Sequence, residues 1–263
     1  MVQRLTDYVW LGNGTVFNES SIYRIARILH ALGTNIRRLE AYYQSLEVQP
    51  HIPKELHPRF FPSVNAYRAS DGALTRFKFV KPLECESICT IFLAETQGPS
   101  PMLIVVKFVY RYNEEAYKLL ANSDMAPKLL YFAKVGVCDD DPSYDHLRMV
   151  VMDYVEGATV DRAPSVPSTF RKQVEAILTL LHAHGFVFGD RRGPNLMVRE
   201  DTREAVLIDC DWIGKDGAQS QYPIVMSQSI KWPAGVKDGL GVMKKEHDIE
   251  MLDELVQELV FED

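Results

Sequence analysis

"HGFVFGDRRGPNLMV", residues 184–198, runs from an apolar, strand-like segment directly into polar residues. Asp190 ends the apolar run, and Asn195 follows five positions later. A carboxylate at a fixed strand end is well placed to act as a general base or to orient a nucleophile. The amide oxygen of Asn195 suits a hard cation. Asp and Asn are also common in plain turns, so the rest of the chain must decide between a reactive loop and a turn.

Composition sets the broad class of the protein. The chain has 263 residues, of which 46% are hydrophobic and 25% charged, and this predicts a globular protein with a sizeable core. A formal net charge of -7 argues against nucleic acid and anionic membranes as partners. The sequence shows neither a signal-peptide pattern nor an apolar run of about 20 residues. We therefore expect a soluble intracellular protein, cytoplasmic or nuclear, with no membrane partner.

Helical and β-type patterns follow one another along the chain. Residues 1–70 predict a helix beginning at Asn18 or Ser20, a second helix at about 35–46, and a proline-rich linker. Three antiparallel strands are predicted in RFKFV, SICTIFLAE and MLIVVKFV. A helix is predicted in NEEAYKLLANS, and a further strand in LRMVVMDYV. A helix capped by Ser168, two short strands and a final acidic helix, HDIEMLDELVQEL, complete the order. This order predicts two lobes with a cleft between them.

Two charged residues fall in or beside the apolar strand LIVVKFV. Lys107 lies inside that strand, where an unpaired ammonium is costly unless it meets an anion. Glu115, in the next predicted helix, is a candidate partner, and Glu114 is its immediate rival. The alternative is an edge-strand lysine that extends to solvent, with an exposed glutamate nearby.

Two aspartates follow the next apolar strand, in "VLIDCDWIG". Asp209 comes fourteen residues after Asn195, and Asp211 lies two positions further, on the same side of that strand. Mg²⁺ takes hard oxygen ligands, usually one or two carboxylates together with phosphate oxygens. Asn195 and Asp209 therefore predict a Mg²⁺ site, with Asp211 as a secondary ligand.

The order Lys, Glu, Asp-x4-Asn, Asp resembles that of the protein kinase-like superfamily. Lys107 in "VVK" matches the strand lysine of that family, "FGDRRGPN" stands at its H-R-D-x-x-x-x-N loop, and "IDCDWIG" stands at D-F-G. The resemblance covers roughly residues 76–263. Three segments are similar to a large group of fungal, especially basidiomycete, kinase-like proteins: RYNEEAYKLLANSDMAPKLLYF, FGDRRGPN and IKWPAGV…KKEHDIEML.

This resemblance implies an α+β, two-lobed protein kinase-like fold. A small antiparallel sheet with a helix would form the first lobe, and a mainly helical, truncated second lobe would follow it. The implied boundaries are a helical extension and linker at 1–70, and a kinase-like domain at 71–263 with an N-lobe at about 71–152, a hinge at 153–157 and a C-lobe at 158–263.

The resemblance also implies ATP and Mg²⁺ as cofactors and a role for each nucleotide-binding residue. Lys107 would hold the α- and β-phosphates and would itself be held by Glu115. Met152 would be the gatekeeper, the backbone of Asp153 and Val155 would meet adenine, and Met197 would form the floor of the adenine site.

Further roles carry over to the loop residues. Asp190 would accept the hydroxyl proton or orient the nucleophile, and Arg192 would offset charge on the transferred group. Asn195 and Asp209 would hold Mg²⁺, with Asp211 secondary, and Asp248 would brace the loop.

Departures from the family pattern widen the range of functions. No G-x-G-x-x-G precedes Lys107, Phe188 replaces His, and Gly189 replaces Arg, as in the H-G-D of aminoglycoside phosphotransferases. The expected function is ATP·Mg-dependent transfer of the γ-phosphate to a protein or other hydroxyl acceptor. The alternatives are a small-molecule kinase of the aminoglycoside or choline kinase type, and a pseudokinase acting as a nucleotide-binding module.

Overall fold

The computed structural model describes residues 19–45, 61–83, 90–135, 147–224, 226–227, 230–236 and 239–262. The chain divides into two compact units, residues 1–56 and 57–263. Most of the expected proline-rich linker lies outside the described residues. No described helix is long and apolar enough to cross a membrane.

The described part of the first unit is one helix, α1, Glu19–Ser45. The sequence predicted two helices here, separated near Gly33. Glycine in a helix interior costs roughly 1 kcal/mol but does not break the helix. No heavy atom lies within 4 Å of the position that a Gly33 Cβ would take. The helix therefore passes through Gly33 without interruption.

The second unit is a mixed α+β structure with short strands and three α-helices in its described residues. The strands are β1 Ala66–Arg68, β2 Leu74–Pro82, β3 Ile91–Thr96, β4 Leu103–Val109, β5 Leu129–Lys134, β6 Arg148–Asp153, β7 Gly157–Thr159, β8 Phe186–Val187, β9 Leu196–Arg199, β10 Ala205–Leu207, β11 Gly214–Lys215, β12 Gly217–Gln221 and β13 Val242–Met243. The helices are α2 Glu114–Ala121, α3 Phe170–Ala183 and α4 Lys245–Gln257, with a 3₁₀ turn at Gly193–Asn195.

Six strands form an antiparallel sheet in the order β1-β2-β3-β4-β6-β5. The three antiparallel strands predicted from the sequence are β2, β3 and β4, and the further predicted strand is β6. Alternate residues of these strands pack into one buried cluster that includes Phe77, Phe92, Val106 and Met149. The sequence did not predict β1 or β5, and β1 lies within the segment assigned to the linker.

Helices α2 and α3 share a second cluster with the strands that follow them. Asn113 caps α2, because its side-chain oxygen accepts from the Ala116 N–H at 3.0 Å. The apolar stripe predicted for α3 is buried, at Val174, Ile177, Leu178 and Leu181. Thr169 precedes the first helical residue of α3, where the sequence predicted Ser168.

The strands β10, β9 and β7 form a small antiparallel sheet. Leu196 in β9 pairs with Leu207 in β10, and the Ile208 N–H donates to the Asn195 carbonyl at 3.0 Å. Asn195 and Asp209 are thereby placed at the same end of two paired strands.

Candidate active site

A buried carboxylate in α4 holds the loop that contains Asp190. Asp248 lies in the first turn of α4 and is fully buried. Its two oxygens accept the N–H groups of Phe188 and Gly189, each at 2.9 Å. The His182 Nε2 lies 2.8 Å from the same carboxylate. These contacts fix the backbone immediately before Asp190, and they match the role that the kinase resemblance implied for Asp248.

The glycine at position 189 is required by the backbone. Its φ of +77° lies in the left-handed region, which favours glycine. A Cβ built there would lie 2.2 Å from the Met243 Cε and 3.6 Å from the Tyr222 ring. The positive φ therefore disfavours an arginine at this position, and any side chain here would also have to displace the end of the Met243 side chain.

Asp190 is buried at 5% exposure and is paired with a cation from its own loop. The Arg192 guanidinium faces both carboxylate oxygens, with Nε on Oδ1 and Nη2 on Oδ2, the second at 2.6 Å. The Asn195 Nδ2 donates to the Asp190 carbonyl oxygen at 2.7 Å. Burial raises the pKa of Asp190, while the hydrogen bond and charge of Arg192 act in the opposite direction.

Lys107 lies in β4 with 3% exposure, so its ammonium needs an anion. Its Nζ lies 2.9 Å from Asp209 Oδ1 and 2.9 Å from Asp211 Oδ1. Burial opposes the charged form of Lys107, but the two carboxylates outweigh it and raise the lysine pKa. Lys107 in turn lowers the pKa of Asp209 against the effect of burial. Burial and the Asp209 charge raise the pKa of Asp211 to about 7.

The structure does not bring Glu115 to Lys107, which corrects the expected pair. Glu115 is exposed, and its nearest cation is Lys215, with Nζ 3.8 Å from Oε1. The reason is the orientation of α2, which buries Ala116, Tyr117 and Leu120. At about 100° per residue, Glu115 lies roughly 150° from the centre of that buried face.

The rival, Glu114, is also not at Lys107. Its Oε1 lies 2.7 Å from the Lys118 Nζ, in an i,i+4 pair on the helix surface. Both glutamates of this turn are thus engaged at the surface of α2.

A cavity of about 420 Å³ lies beside Lys107. This volume is within the usual range of about 300–1,000 Å³ for small-molecule sites. Its walls are mostly apolar, and they include four of the residues predicted to contact a nucleotide base: Met152, Asp153, Val155 and Met197. The Tyr117 hydroxyl donates to the Pro127 carbonyl at 2.8 Å and lies 3.4 Å from the Met152 sulfur. Because Pro127 and Met152 both line the cavity, Tyr117 holds this part of the wall in place.

The acidic residues beside Lys107 fit a hard cation. Asp209 and Asp211 already enclose one positive charge, that of the Lys107 ammonium. Asn195 adds an amide oxygen at the same strand end. Among the described residues, no three His, Cys, Asp or Glu side chains form a metal-binding group, so a cation here would need the Asn195 oxygen or ligands from substrate.

Three polar residues of the cavity wall were not predicted from the sequence. Thr159, the last residue of β7, and Asp161 and Arg162, just after that strand, line the cavity. Their short segment carries no periodic pattern, and only the fold places it opposite Lys107. The sequence also gave no signal for Arg191, which is 1% exposed and donates from Nε to the Asp248 carbonyl at 2.9 Å.

Comparisons with known proteins give partial likenesses, among them one to a family model and one to a solved structure. A family model described as "Lipopolysaccharide core biosynthesis protein (WaaY)" matches residues 140–221, a range that contains Asp190, Asn195, Asp209 and Asp211. The solved structure of the kinase PK-1 of Cydia pomonella granulovirus is 21% identical, with a TM-score of 0.42 over 54% of this chain and 53% of that chain. The match thus spans about half the length of the viral kinase. No curated protein matches the chain.

Proposed function

We propose that this chain is a two-lobed, kinase-like phosphotransferase that uses ATP and Mg²⁺ to phosphorylate a hydroxyl group. The observation that carries the proposal is the buried Lys107 ammonium, 2.9 Å from both Asp209 and Asp211, at the edge of a cavity large enough for a nucleotide base. A cationic group for phosphates and carboxylates for a metal are the parts that phosphoryl transfer requires.

The cavity supports adenine as the bound base. Met152 and Met197 supply apolar surface on which a flat base can pack. Asp153 and Val155 line the same cavity, so their backbone groups would recognise the edge of the base. The base would thus lie between the six-stranded sheet and the β9 strand.

The charged residues would then divide two tasks. Lys107 would exchange its carboxylate partners for the α- and β-phosphates, while Asp209, Asn195 and, secondarily, Asp211 would hold Mg²⁺. When bound, Mg²⁺ supplies positive charge against the phosphate oxygens. Glu115 is too exposed in this structure to orient Lys107, and Asp209 and Asp211 hold the Lys107 ammonium before the nucleotide binds.

The reacting hydroxyl would meet Asp190. Its carboxylate would accept the hydroxyl proton or orient the oxygen, after Arg192 turns from Asp190 toward the transferred phosphoryl group. A guanidinium is suited to either partner, because its fork geometry matches carboxylate and phosphate alike. The rate enhancement would come chiefly from positioning and electrostatics.

The acceptor can be a protein or a small molecule. The WaaY match over residues 140–221 favours a non-protein acceptor, because that family is described by a role in lipopolysaccharide core biosynthesis. Within this proposal the protein acts in the cytoplasm or nucleus.

A second candidate is a nucleotide-binding protein without turnover. The observation in its favour is the two-point pairing of Arg192 with both oxygens of Asp190, which occupies the proposed base. In this case Asp190 would serve the loop structure, and nucleotide binding would regulate a partner.

One experiment separates these functions. Thermal unfolding is measured with and without ATP·Mg²⁺, and γ-phosphate release or transfer is followed with labelled ATP, for wild type, Asp190→Asn and the control Asp201→Asn. Asp201 is an exposed loop carboxylate that accepts the Thr202 N–H at 2.8 Å, a bond that an Asn oxygen can keep.

We expect nucleotide-dependent stabilisation in all three proteins, and a loss of turnover by orders of magnitude in Asp190→Asn alone. Stabilisation without turnover in wild type would select the binding protein. No stabilisation by ATP·Mg²⁺ in wild type would overturn both functions.

A further inference from the structure

Six apolar residues of α1 recur at alternating spacings of four and three, with Ile28 and Tyr42 outside this series on one flank. They form the set Ile25, Leu29, Leu32, Ile36, Leu39 and Tyr43. Five of them are exposed by 44–66%, with only Ile25 half-buried. A spacing of 3.5 residues is the period of a coiled-coil seam, whereas a helix packed on a globular core shows a broader stripe of period 3.6. We name this set the α1 seam.

The residues in the α1 seam suit a pair of parallel helices. In heptad notation Leu29, Ile36 and Tyr43 fall at position a, and Ile25, Leu32 and Leu39 fall at position d. Isoleucine at a with leucine at d favours two strands in parallel, and Ile36, Leu32 and Leu39 follow this rule, whereas Leu29 at a and Ile25 at d do not. In such a pair each seam residue meets the same residue of the partner helix, so one sequence supplies both halves of the contact.

Charge on α1 is arranged to allow this approach. The four arginines, Arg24, Arg27, Arg37 and Arg38, fall at positions b, c and f, away from the seam. Within the length of the seam only one flanking position is charged, Glu40 at e, and Glu19, also at e, lies before the seam begins. In a parallel pair Asn35 at g faces Glu40 of the other helix, which is a favourable contact. Two cationic helices can therefore meet without opposed like charges.

The area available is enough for a modest interface. Fully burying an aliphatic side chain hides roughly 60–120 Å². Six seam residues from each of two helices would hide roughly 700–1,400 Å², and specific interfaces begin at about 1,200 Å². The pair would thus form and dissociate with protein concentration.

We propose that the α1 seam binds a second copy of this chain, as a parallel, in-register, two-stranded coiled coil. This proposal is independent of the phosphotransferase function, because no seam residue belongs to the candidate active site.

Sedimentation velocity of the full chain across a wide concentration range tests the proposal. Wild type should shift from the mass of one chain to the mass of two as concentration rises. Leu32→Glu/Leu39→Glu should weaken this association at least tenfold, because the new carboxylates would be buried against each other.

The matched control is Ala31→Glu/Ala41→Glu, which adds the same charge to the same helix. Both alanines are exposed and fall at positions c and f, outside the seam. This control should associate like wild type, and circular dichroism should show equal helix content in both double variants. Equal weakening in both would overturn the proposal.

Orientation is tested by thiol crosslinking under mild oxidation. Leu32→Cys should give a crosslinked dimer above the wild-type background, and Ala31→Cys should not. The reverse result would overturn the parallel register.

A wild-type chain that stays monomeric at every concentration would overturn the proposal. Binding of that monomer to phosphatidylserine vesicles would then assign the seam to a lipid surface. Protection of α1 from hydrogen exchange in the monomer would instead assign it to another part of the same chain.

Discussion

At the scale of single residues, Arg192 controls the charge of Asp190. Burial raises the pKa of Asp190, and Arg192 opposes that rise through two hydrogen bonds and its charge. Removing Arg192 therefore raises the Asp190 pKa further, so that a smaller fraction of the carboxylate is ionised at a given pH. If ionised Asp190 is the active form, the acid limb of the pH–kcat/KM profile, which reports the free enzyme, moves to higher pH in Arg192→Ala.

Arg192→Lys is the comparison for that change. A lysine keeps the positive charge but loses the two-point contact, so its acid limb should lie between those of wild type and Arg192→Ala. A lower kcat with an unmoved acid limb would show that Arg192 acts only on the transferred group.

Arg191 is a buried charge whose groups are only partly satisfied. Its Nη1 and Nη2 have no hydrogen-bond partner within the described part of the chain, although its Nε donates to the Asp248 carbonyl. Burial lowers the pKa of this guanidinium to about 9. Burying a guanidinium with two unpaired nitrogens carries a desolvation cost that an apolar residue of similar length does not carry, and this cost outweighs the attraction of Asp248 for the Arg191 charge.

We expect Arg191→Met to raise the free energy of unfolding by about 1–2 kcal/mol, measured by urea denaturation. Arg171→Met is the control, because Arg171 is exposed and pairs with Glu175 and Asp253 at the surface. Its loss should lower stability slightly. A clear loss of stability in Arg191→Met would mean that the charge has a structural partner.

At the scale of elements, α4 determines the shape of the Asp190 loop through Asp248. Each carboxylate oxygen accepts one backbone N–H, so Asp248→Asn keeps one acceptor and turns an NH₂ group toward the other donor. An unsatisfied buried donor costs about 1–3 kcal/mol. We expect this loss of stability, together with faster hydrogen exchange at Phe188 and Gly189. Glu250→Gln, an exposed change in the same helix, should stay within about 0.5 kcal/mol of wild type.

The sequence predicted those elements whose pattern is local. β2, β3, β4 and β6 carry regular apolar patterns, and the stripe of α3 is visible in one helical repeat. β5 was missed because its residues are half-buried without alternation, and β1 is only three residues long. Both become strands because a neighbouring strand offers hydrogen bonds, which no single segment reveals.

The candidate site was likewise predictable only where the signal is local to one segment of the sequence. The need of Lys107 for an anion follows from its place in an apolar strand, and the structure supplies that anion. Which anion it meets depends on how α2 rotates on the core, and this is set by Tyr117 and Leu120 rather than by the spacing from Lys107 to Glu115. The proximity of Asp209 and Asp211 to Lys107 likewise depends on tertiary packing.

At the scale of the whole molecule, the cavity joins parts of the second unit that are distant in sequence. Val105 and Lys107 come from the six-stranded sheet, while Met197 and Ile208 come from β9 and the segment after β10. A nucleotide bound there would contact both parts at once. Its binding free energy would therefore stabilise both parts together.

Ligand binding at 100 times Kd adds about 2.7 kcal/mol to stability. For a unit of this size, that corresponds to a rise in Tm of roughly 5–10 °C. We expect this rise with ATP·Mg²⁺ and a smaller one with triphosphate·Mg²⁺, which lacks the base. ATP·Mg²⁺ should also slow the hydrogen exchange of backbone amides in both β4 and β9. Protection confined to one of these strands would contradict a site shared by the two parts, because a base packed on Met197 and next to Val105 cannot order one wall alone.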